Sequence, residues 1–535
     1  MAGMAWTLVG NLDSPHRVSV DERGLVTLEG ETWSLDWWIG AEDRWHVPAR
    51  EVSVRQTLLG ASPVVETRVR VPSGDAVQRV FAARDANGAE ALVVEVENDT
   101  KVPFAVALAV LPRLADGRGR THDIAIEGSV VTVDGRRVLE AGKAPGRTAT
   151  ATGVDGDVAA VVFAGDAADV PAAVASCSDG LAQAALVFPL AHTAVLRVVL
   201  PLPPGRDVDA SLLPDVAQVV SGWQAHTRRG ARVVLPDRRL QDAVDSSLRH
   251  ALLRHDDVAV IAALARFGFA AEAGMALLAD PLSAAAADAP GAALHALGRM
   301  WRERSDVDLA KAAAPVVAEL IASLGRSRSS RDLRLGAAAA PTAAELLAAA
   351  GHRRGAKDAR RAGSAMADRA AALPVAGPAD ATAARDRLAE QLATASATWT
   401  WDGHDLSANA ALLLEVADLL VAETGGLGER VLELARVVPE AWLGQGWEVH
   451  DLPTAYGLVS YAVRWHGDRP ALLWDLVVEP GEPPTRLTVP GLDPTWSSTD
   501  AKGEALLGPV AVPEQALAAG VTMPVTLGPR PAGLR

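Results

Sequence analysis

Val64-Val-Glu-Thr-Arg-Val-Arg-Val71 alternates apolar with polar or charged side chains, the pattern of a strand that buries one face. The same period of two runs outward from it, through Glu51-Val-Ser-Val-Arg-Gln-Thr-Leu58 before it and Ala76-Val-Gln-Arg-Val-Phe81 after it. Ala91-Leu-Val-Val-Glu-Val96, a turn at Asn98-Asp99 and Phe104-Ala-Val-Ala-Leu-Ala-Val110 continue the series. Toward the N-terminus, Arg17-Val-Ser-Val20 and Leu25-Val-Thr-Leu28 read as a hairpin with Gly24 in the turn. Ala159-Ala-Val-Val-Phe163 and Thr193-Ala-Val-Leu-Arg-Val-Val-Leu200 read as further strands, and Pro201 to Pro204 ends the series. So many alternating runs separated by turn residues predict a large antiparallel sandwich over residues 1–225.

After Pro236 the period changes to 3.6. Leu240, Val244, Leu248 and Leu252 fall on one helical face, with Asp237 placed to cap it. Asp306 or Ser305 caps a second helix carrying Leu309, Ala313, Val317, Leu320 and Leu324, with Pro315 inside it. Thr342-Ala-Ala-Glu345 has the spacing of a capping box before Leu346. Ser407 opens a helix whose run from Leu412 to Val421 stops near Gly425-Gly426. Residues 236–437 therefore predict an array of helical hairpins. Beyond Pro439, Trp447-Glu-Val-His450, Leu458 to Trp465, Ala471 to Val478 and Thr485 to Val489 return to strands. Residues 438–523 form a small β-domain in this reading, with 524–535 a flexible Gly/Pro-rich tail. The fold class is multidomain α+β: an N-terminal antiparallel β-sandwich, an α/α helical-hairpin region and a small C-terminal β-sandwich.

Five blocks carry a resemblance. Val438-Pro-Glu-Ala-Trp-Leu-Gly-Gln-Gly446 leads into Leu452-Pro-Thr-Ala-Tyr-Gly457 and Val463-Arg-Trp-His-Gly-Asp-Arg-Pro-Ala-Leu-Leu-Trp474. With Ala263-Leu-Ala-Arg-Phe-Gly-Phe269 and Gly291-Ala-Ala-Leu-His-Ala-Leu297 in the middle, the chain resembles the six-hairpin glycosidases, including glucoamylase-like and glycogen-debranching-like proteins. The resemblance implies an (α/α)6 toroid, complete or incomplete, and a substrate that is an α-glucan or related oligosaccharide or polysaccharide. It also implies a pair of carboxylates flanking the scissile bond. The chain departs from the pattern in one place. Between Trp301 and Trp399 there is no Phe, Trp or Tyr, and residues 324–350, where relatives carry an acidic aromatic-rich loop, offer only Asp332 and Glu345 as acids. That departure supports an alternative, a non-catalytic glycan-binding or protein-interaction scaffold on a degenerate glycosidase fold.

Carboxylates on expected loops are the catalytic candidates: Asp402 and Asp405 in Trp399-Thr-Trp-Asp-Gly-His-Asp405, and Asp288, with Asp280 nearby. Trp399, Trp401 and His404 in the same loop, and Trp38 in Trp33-Ser-Leu-Asp-Trp-Trp38, are the substrate-binding candidates, because indole faces stack on sugar rings. The competing readings are a capped helix start for the first cluster and an interdomain seam, with Trp45 and His46, for the second. Arg464, His466, Asp468, Arg469 and Trp474 read as a cross-strand turn before a ligand contact. His255 with Asp256-Asp257 has no second histidine at ligand spacing, so no metal and no cofactor is expected.

A net charge of −15 argues against a general nucleic-acid surface, which needs cations to displace phosphate counterions. The Arg326, Arg328, Arg331 and Arg334 group reads as a solvated face. Cys177 is the one cysteine, so no intramolecular disulfide forms. The absence of a signal-peptide pattern and of a long apolar run predicts a cytoplasmic protein with no membrane association.

Overall fold

The computed structural model describes residues 6–12, 14–114, 119–154, 156–254, 258–279, 289–373, 383, 386–390, 406–424, 429–478 and 483–512. The protein is a multidomain α+β chain that divides into two compact units. The first holds Met1–Arg228, Asp245–Arg254 and Ala395–Asn409; the second holds Arg229–Val244, His255–Thr394 and Ala410–Arg535.

In the first unit two antiparallel sheets face each other. One has eight strands, in the order Trp6–Gly10, Arg17–Asp21, Val26–Leu28, Ser34–Gly40, Phe104–Leu111, Gln183–Leu190 and Arg147–Ala151, with Trp45–His46 paired to Ser34–Gly40. The other has nine: Ala172–Ser176, Asp123–Glu127, Val130–Val133, Arg136–Ala141, Val195–Leu202, Glu90–Thr100, Gly74–Arg84, Val65–Val71 and Val54–Leu58. The inward positions of the alternating runs, among them Val65, Val69, Val80, Val94, Trp37 and Ile39, share one core. Burial of such side chains stabilises by roughly 25 cal/mol per Å² of apolar surface removed from water.

Two strand expectations need correction. Ala159 to Phe163 lies in helix α1 (Val158–Ala164), not in a strand. Asp157 caps it by accepting from the Ala159 amide, and Gly165, with φ of 82°, closes it in the left-handed region that glycine tolerates. Val158 and Val162, four apart, then both face the outer side of the first sheet. The β-branched run misled because its ends, not its middle, decide the conformation. The expected turn at Asn98-Asp99 is strand as far as Thr100. Asn98 is buried there and donates from Nδ2 to the carbonyls of Val102 (2.9 Å) and Leu190 (3.0 Å), a role that a turn asparagine shares only by composition.

Helix α2 (Val216–Thr227), opened by a capping box between Asp215 and Gln218, covers Phe81, Val93 and Val199 on the outer face of the second sheet. Farther along that face the strands carry paired ions: Arg79 with Glu66 (2.8 Å) and Glu97 (2.7 Å), Arg55 with Asp75 (2.7 Å).

In the chain beyond Pro236 the described helices are α3 (Arg238–Leu253), α4 (Val258–Arg266), α5 (Ala270–Ala279), α6 (Pro290–Arg304), α7 (Val307–Leu324), α8 (Ser330–Ala349), α9 (Arg353–Ala372) and α10 (Leu406–Leu420). Asp237 caps α3 through the Leu240 amide at 3.1 Å, and Asp306 caps α7, as their spacing predicts. Helix α6 packs against α8 and α4, while α8 packs most extensively against α9, so successive hairpins lie side by side. Helix α8 corrects a boundary. It starts at the Ser329 cap and runs unbroken through Pro341, leaving Thr342 buried in its interior rather than capping a new helix. The close approach of α9 maintains it: a Cβ on Gly363 would fall 2.5 Å from the Ala340 Cβ. Residues expected in a barrel loop are therefore helical.

The second unit also holds a five-stranded antiparallel sheet, in the order Arg232–Val234, Trp447–Thr454, Gly457–His466, Arg469–Val477 and Lys502–Leu506. A four-stranded sheet contains Val421–Thr424, Val431–Leu434, Arg486–Val489 and Asp493–Ser498, with one parallel pair between Val431–Leu434 and Arg486–Val489. Val421, expected in a helix, begins a strand. The charged group around Arg464 is a hairpin, His466 pairing with Arg469 across the turn. Among the described residues no helix is long and apolar enough to cross a membrane.

Candidate functional site

Within the second unit a cavity of about 190 Å³ opens among α4, α6, α8, α10 and the strand end at Pro453. It is smaller than the roughly 300–1,000 Å³ of pockets for larger organic ligands and several times the roughly 30 Å³ that a water occupies. Its size suits a ligand of one ring. Alanines, Leu335, Leu414 and Pro453 form its apolar walls, and Arg266, His295, Ser329, Arg331 and Asp332 bring polar groups to it.

Local structure sets each of these groups. Helix α4 ends in a Schellman arrangement: the Phe269 amide donates to the Leu264 carbonyl (2.9 Å), and the Gly268 amide to Ala265 (3.2 Å). Arg266 sits in that last turn, where a cation is favoured by the helix dipole. It is only 7 % exposed, and its terminal nitrogens donate to the backbone carbonyls of Pro453 and Val421 (2.6 Å to the latter). Its Nε is buried without a hydrogen-bond partner. Burial pushes the guanidinium below its ordinary value, Arg331 adding to the effect and Glu423 and Asp418 opposing it.

Helices α6 and α8 touch at their N-terminal turns. A Cβ on Gly291 would fall 2.2 Å from the Asp332 carbonyl oxygen, so only glycine permits this approach. The Gly291 amide donates to Asp332 Oδ1 at 3.1 Å, and the Asp332 amide donates to Ser329 Oγ at 3.2 Å. Burial raises the Asp332 carboxyl, opposed by the Gly291 bond, Arg331 and Ser329. One turn into α6, His295 is driven down to about 3 by burial, with Arg299, Arg302 and Arg266 adding to the effect, so it is neutral at physiological pH. Its Nε2 is buried with no partner.

Arg331 donates from Nη1 to Asp418 of α10 at 2.7 Å. Burial works against its charge, but Asp418, Glu423, Asp332 and Glu415 outweigh that and hold it above its ordinary value. Behind the wall Arg334 donates to the Glu423 carbonyl, and Glu423 Oε1 accepts from the Ala455 amide at 3.0 Å. Glu423 Oε2 is buried without a partner. The arrangement is a largely apolar lining with a few donors and acceptors at its edge.

Asp402, Asp405, Asp288, Trp399, Trp401 and His404 lie outside the described residues, as do Asp280, His255 and the 524–535 tail. Trp38 lies in the first unit and is 3 % exposed beneath α1. Its Nε1 donates to Asp36 at 3.1 Å and its ring meets Phe163 edge-on at 5.2 Å, an arrangement that leaves no indole face for a ligand. Trp45 is tilted against the same Phe163, and His46 is held by Asp43 at 2.9 Å. Among the described residues no group of three or more His, Cys, Asp or Glu could hold a metal ion.

Sequence reading named none of Arg266, His295 or Pro453 as site residues, although all three stand in the blocks that carry the resemblance. It took Arg331 for a solvated cation. The missed signal was a histidine and an arginine on otherwise apolar helices, where a polar side chain is costly to bury unless something meets it.

A multidomain α+β chain with a small, largely apolar cavity edged by a few polar side chains in its second unit is the class that these observations define. No family model matches the sequence, and no curated protein does at a significant level. Among solved structures, the chain is similar to a bacterial glucoamylase complexed with acarbose (TM-score 0.41, 9% identity). That alignment covers 68% of this chain and 66% of the glucoamylase, so the whole enzyme's length is not matched. It is also similar to a putative kojibiose phosphorylase from the human microbiome, with TM-score 0.41, 7% identity, and 94% and 92% of the two chains covered. A glycosyl hydrolase of family GH92 aligns at TM-score 0.30 and 10% identity, over 68% of this chain and 62% of that one.

Proposed function

We propose that the protein is a glycosidase-like carbohydrate-active protein, and that the cavity lined by Arg266, His295, Ser329, Arg331 and Asp332 holds one ring of an α-glucan or related oligosaccharide. The observation that carries this is the lining itself. A sugar ring presents hydroxyls that donate and accept, around C–H faces that are apolar. Guanidinium donors, a neutral imidazole with one donor and one acceptor, a carboxyl group and alanine walls match that surface. The order of segments supports the same reading: strands, helical hairpins that would close into an (α/α) toroid, then a C-terminal β-domain.

If the ligand is turned over, hydrolysis requires two carboxyl groups. Asp402 or Asp405 with Asp288 is the pair proposed, with Trp399, Trp401 and His404 proposed as substrate contacts. A second reading, a glycan-binding or protein-interaction scaffold without catalysis, is favoured by one observation: among the described lining residues Asp332 is the single carboxyl group.

The deciding experiment is thermal stability of the purified protein against malto-, isomalto- and trehalose-type sugars, followed by product analysis on any sugar that shifts it. A ligand that binds only the folded state raises stability by mass action, whether or not it reacts. A shift lost in the Arg331→Ala variant supports the site. Turnover abolished by Asp402→Asn or Asp405→Asn supports the enzyme, and binding without turnover supports the scaffold. No shift with any sugar would sink the carbohydrate reading.

A further inference from the structure

We propose that the ring held in this cavity carries a carboxylate, so that the site selects the uronic acid unit of an acidic oligosaccharide over its neutral counterpart. This rests on the carbohydrate reading above and narrows it. Two guanidiniums reach the lining, and the groups that balance them are placed elsewhere. Asp418, which holds Arg331 Nη1 at 2.7 Å, is not part of the lining, and Glu423 spends Oε1 on the Ala455 amide. Among the described lining residues the one carboxyl, Asp332, already accepts from the Gly291 amide.

Arg266 is fixed by the Pro453 and Val421 carbonyls, with its Nε buried and unpartnered. A buried donor left without an acceptor is costly, more so when it belongs to a charged group. A ligand carboxylate supplies two oxygens in the plane that a guanidinium edge matches, and Arg331, with Nη1 alone committed to Asp418, is the lining guanidinium placed to meet it.

The same geometry selects a carboxylate over a phosphate. Phosphate sites at helix N-termini use free backbone amides. Here the Gly291 amide is committed to Asp332 Oδ1 and the Asp332 amide to Ser329 Oγ, so the helix ends offer a dianion no such cradle from these two groups.

The test is isothermal titration and thermal shift of the full chain with glucuronate and galacturonate against glucose and galactose. Sodium acetate and inorganic phosphate serve as anion controls at matched ionic strength. The expected result is at least about tenfold tighter binding of a uronate than of its neutral parent, roughly what one charge-assisted hydrogen bond of 1.5 kcal/mol supplies. Arg331→Gln should remove that preference, and Arg331→Lys should restore only part of it, because a point charge lacks the planar fork. The wild-type preference stands as a test even if a variant fails to fold. Equal or tighter binding of the neutral sugar would overturn the inference and leave the carbohydrate reading intact. Binding of neither kind of sugar would overturn both. A shift matched by acetate or phosphate would mean an adventitious anion only, and would overturn it too.

Discussion

The sandwich and the cavity both bury titratable groups, and they satisfy them in opposite ways. For Asp21 and Asp36 of the sandwich the partners are close in sequence. Asp21 accepts from the amides of Arg23 (2.8 Å) and Leu25 (2.7 Å), and Asp36 accepts from the Trp37 amide and Trp38 Nε1. In the cavity the partners are distant: Arg266 reaches Pro453 and Val421, Arg331 reaches Asp418, and Asp332 is bound by Gly291. The cavity also leaves Arg266 Nε, His295 Nε2 and, behind its wall, Glu423 Oε2 unpartnered. Buried polar atoms in native proteins are nearly always paired; the sandwich has exceptions too, at Ser34 Oγ, Gln78 Oε1 and Arg197 Nε, and those named here differ in belonging to residues that line or back a cavity. A buried carboxylate tied by its own turn marks only a well-made fold.

The comparison can be broken most sharply at Trp38. As a core side chain rather than a sugar platform, its replacement in Trp38→Ala should cost about 3–5 kcal/mol, read by chemical denaturation. A loss well under 1 kcal/mol would show that the ring is not packed beneath α1.

A smaller effect with opposite signs in the two units comes from pH. Asp21 is raised to about 6, chiefly by burial. It therefore contributes stability that is present below its unfolded value near 4 and lost as pH rises through 6, about 3 kcal/mol in all. His295 is depressed to about 3, so its neutral form favours folding above 6.5, and that stability is lost as pH falls from 6.5 toward 3. Asp21→Asn should thus gain on the wild type as pH rises from 4 to 6, and His295→Gln should gain as pH falls from 6.5. Parallel profiles for both variants would erase the distinction.

The smallest effect expected is at the contact of α6 with α8. Gly291→Ala must displace the Asp332 backbone, at a cost of about 1–3 kcal/mol, and should weaken any ligand of the cavity at the same time. An unchanged melting curve would mean that the two helix ends are not held together as described.

What was legible follows from the range of the interactions. Strand alternation at Val64 to Val71, the caps at Asp237 and Asp306, and the C-terminal hairpin at His466 and Arg469 are local patterns, and the structure has them where the residues put them. Where local signals competed, the reading failed. Ala159 to Phe163 has strand residues but helix ends, and Thr342 to Glu345 has the letters of a cap inside a helix that α9 holds straight. Arg331 read as solvated and its side chain is indeed 37 % exposed, but nothing near it in sequence shows that Asp418 waits eighty-seven residues on.

By itself, then, the sequence determined the periods of its segments and the composition of each face, since backbone geometry imposes those periods over a few residues. Which polar groups meet was decided only by tertiary structure. The sequence carries Arg266, His295, Arg331 and Asp332 as separate residues on three helices; packing at Gly291 and the reach of Arg266 to Pro453 bring them around one cavity. The physical reason is that burying a charge is tolerable only beside a partner, and around this cavity the partners of Arg266, Arg331 and Asp332 come from other elements of the fold.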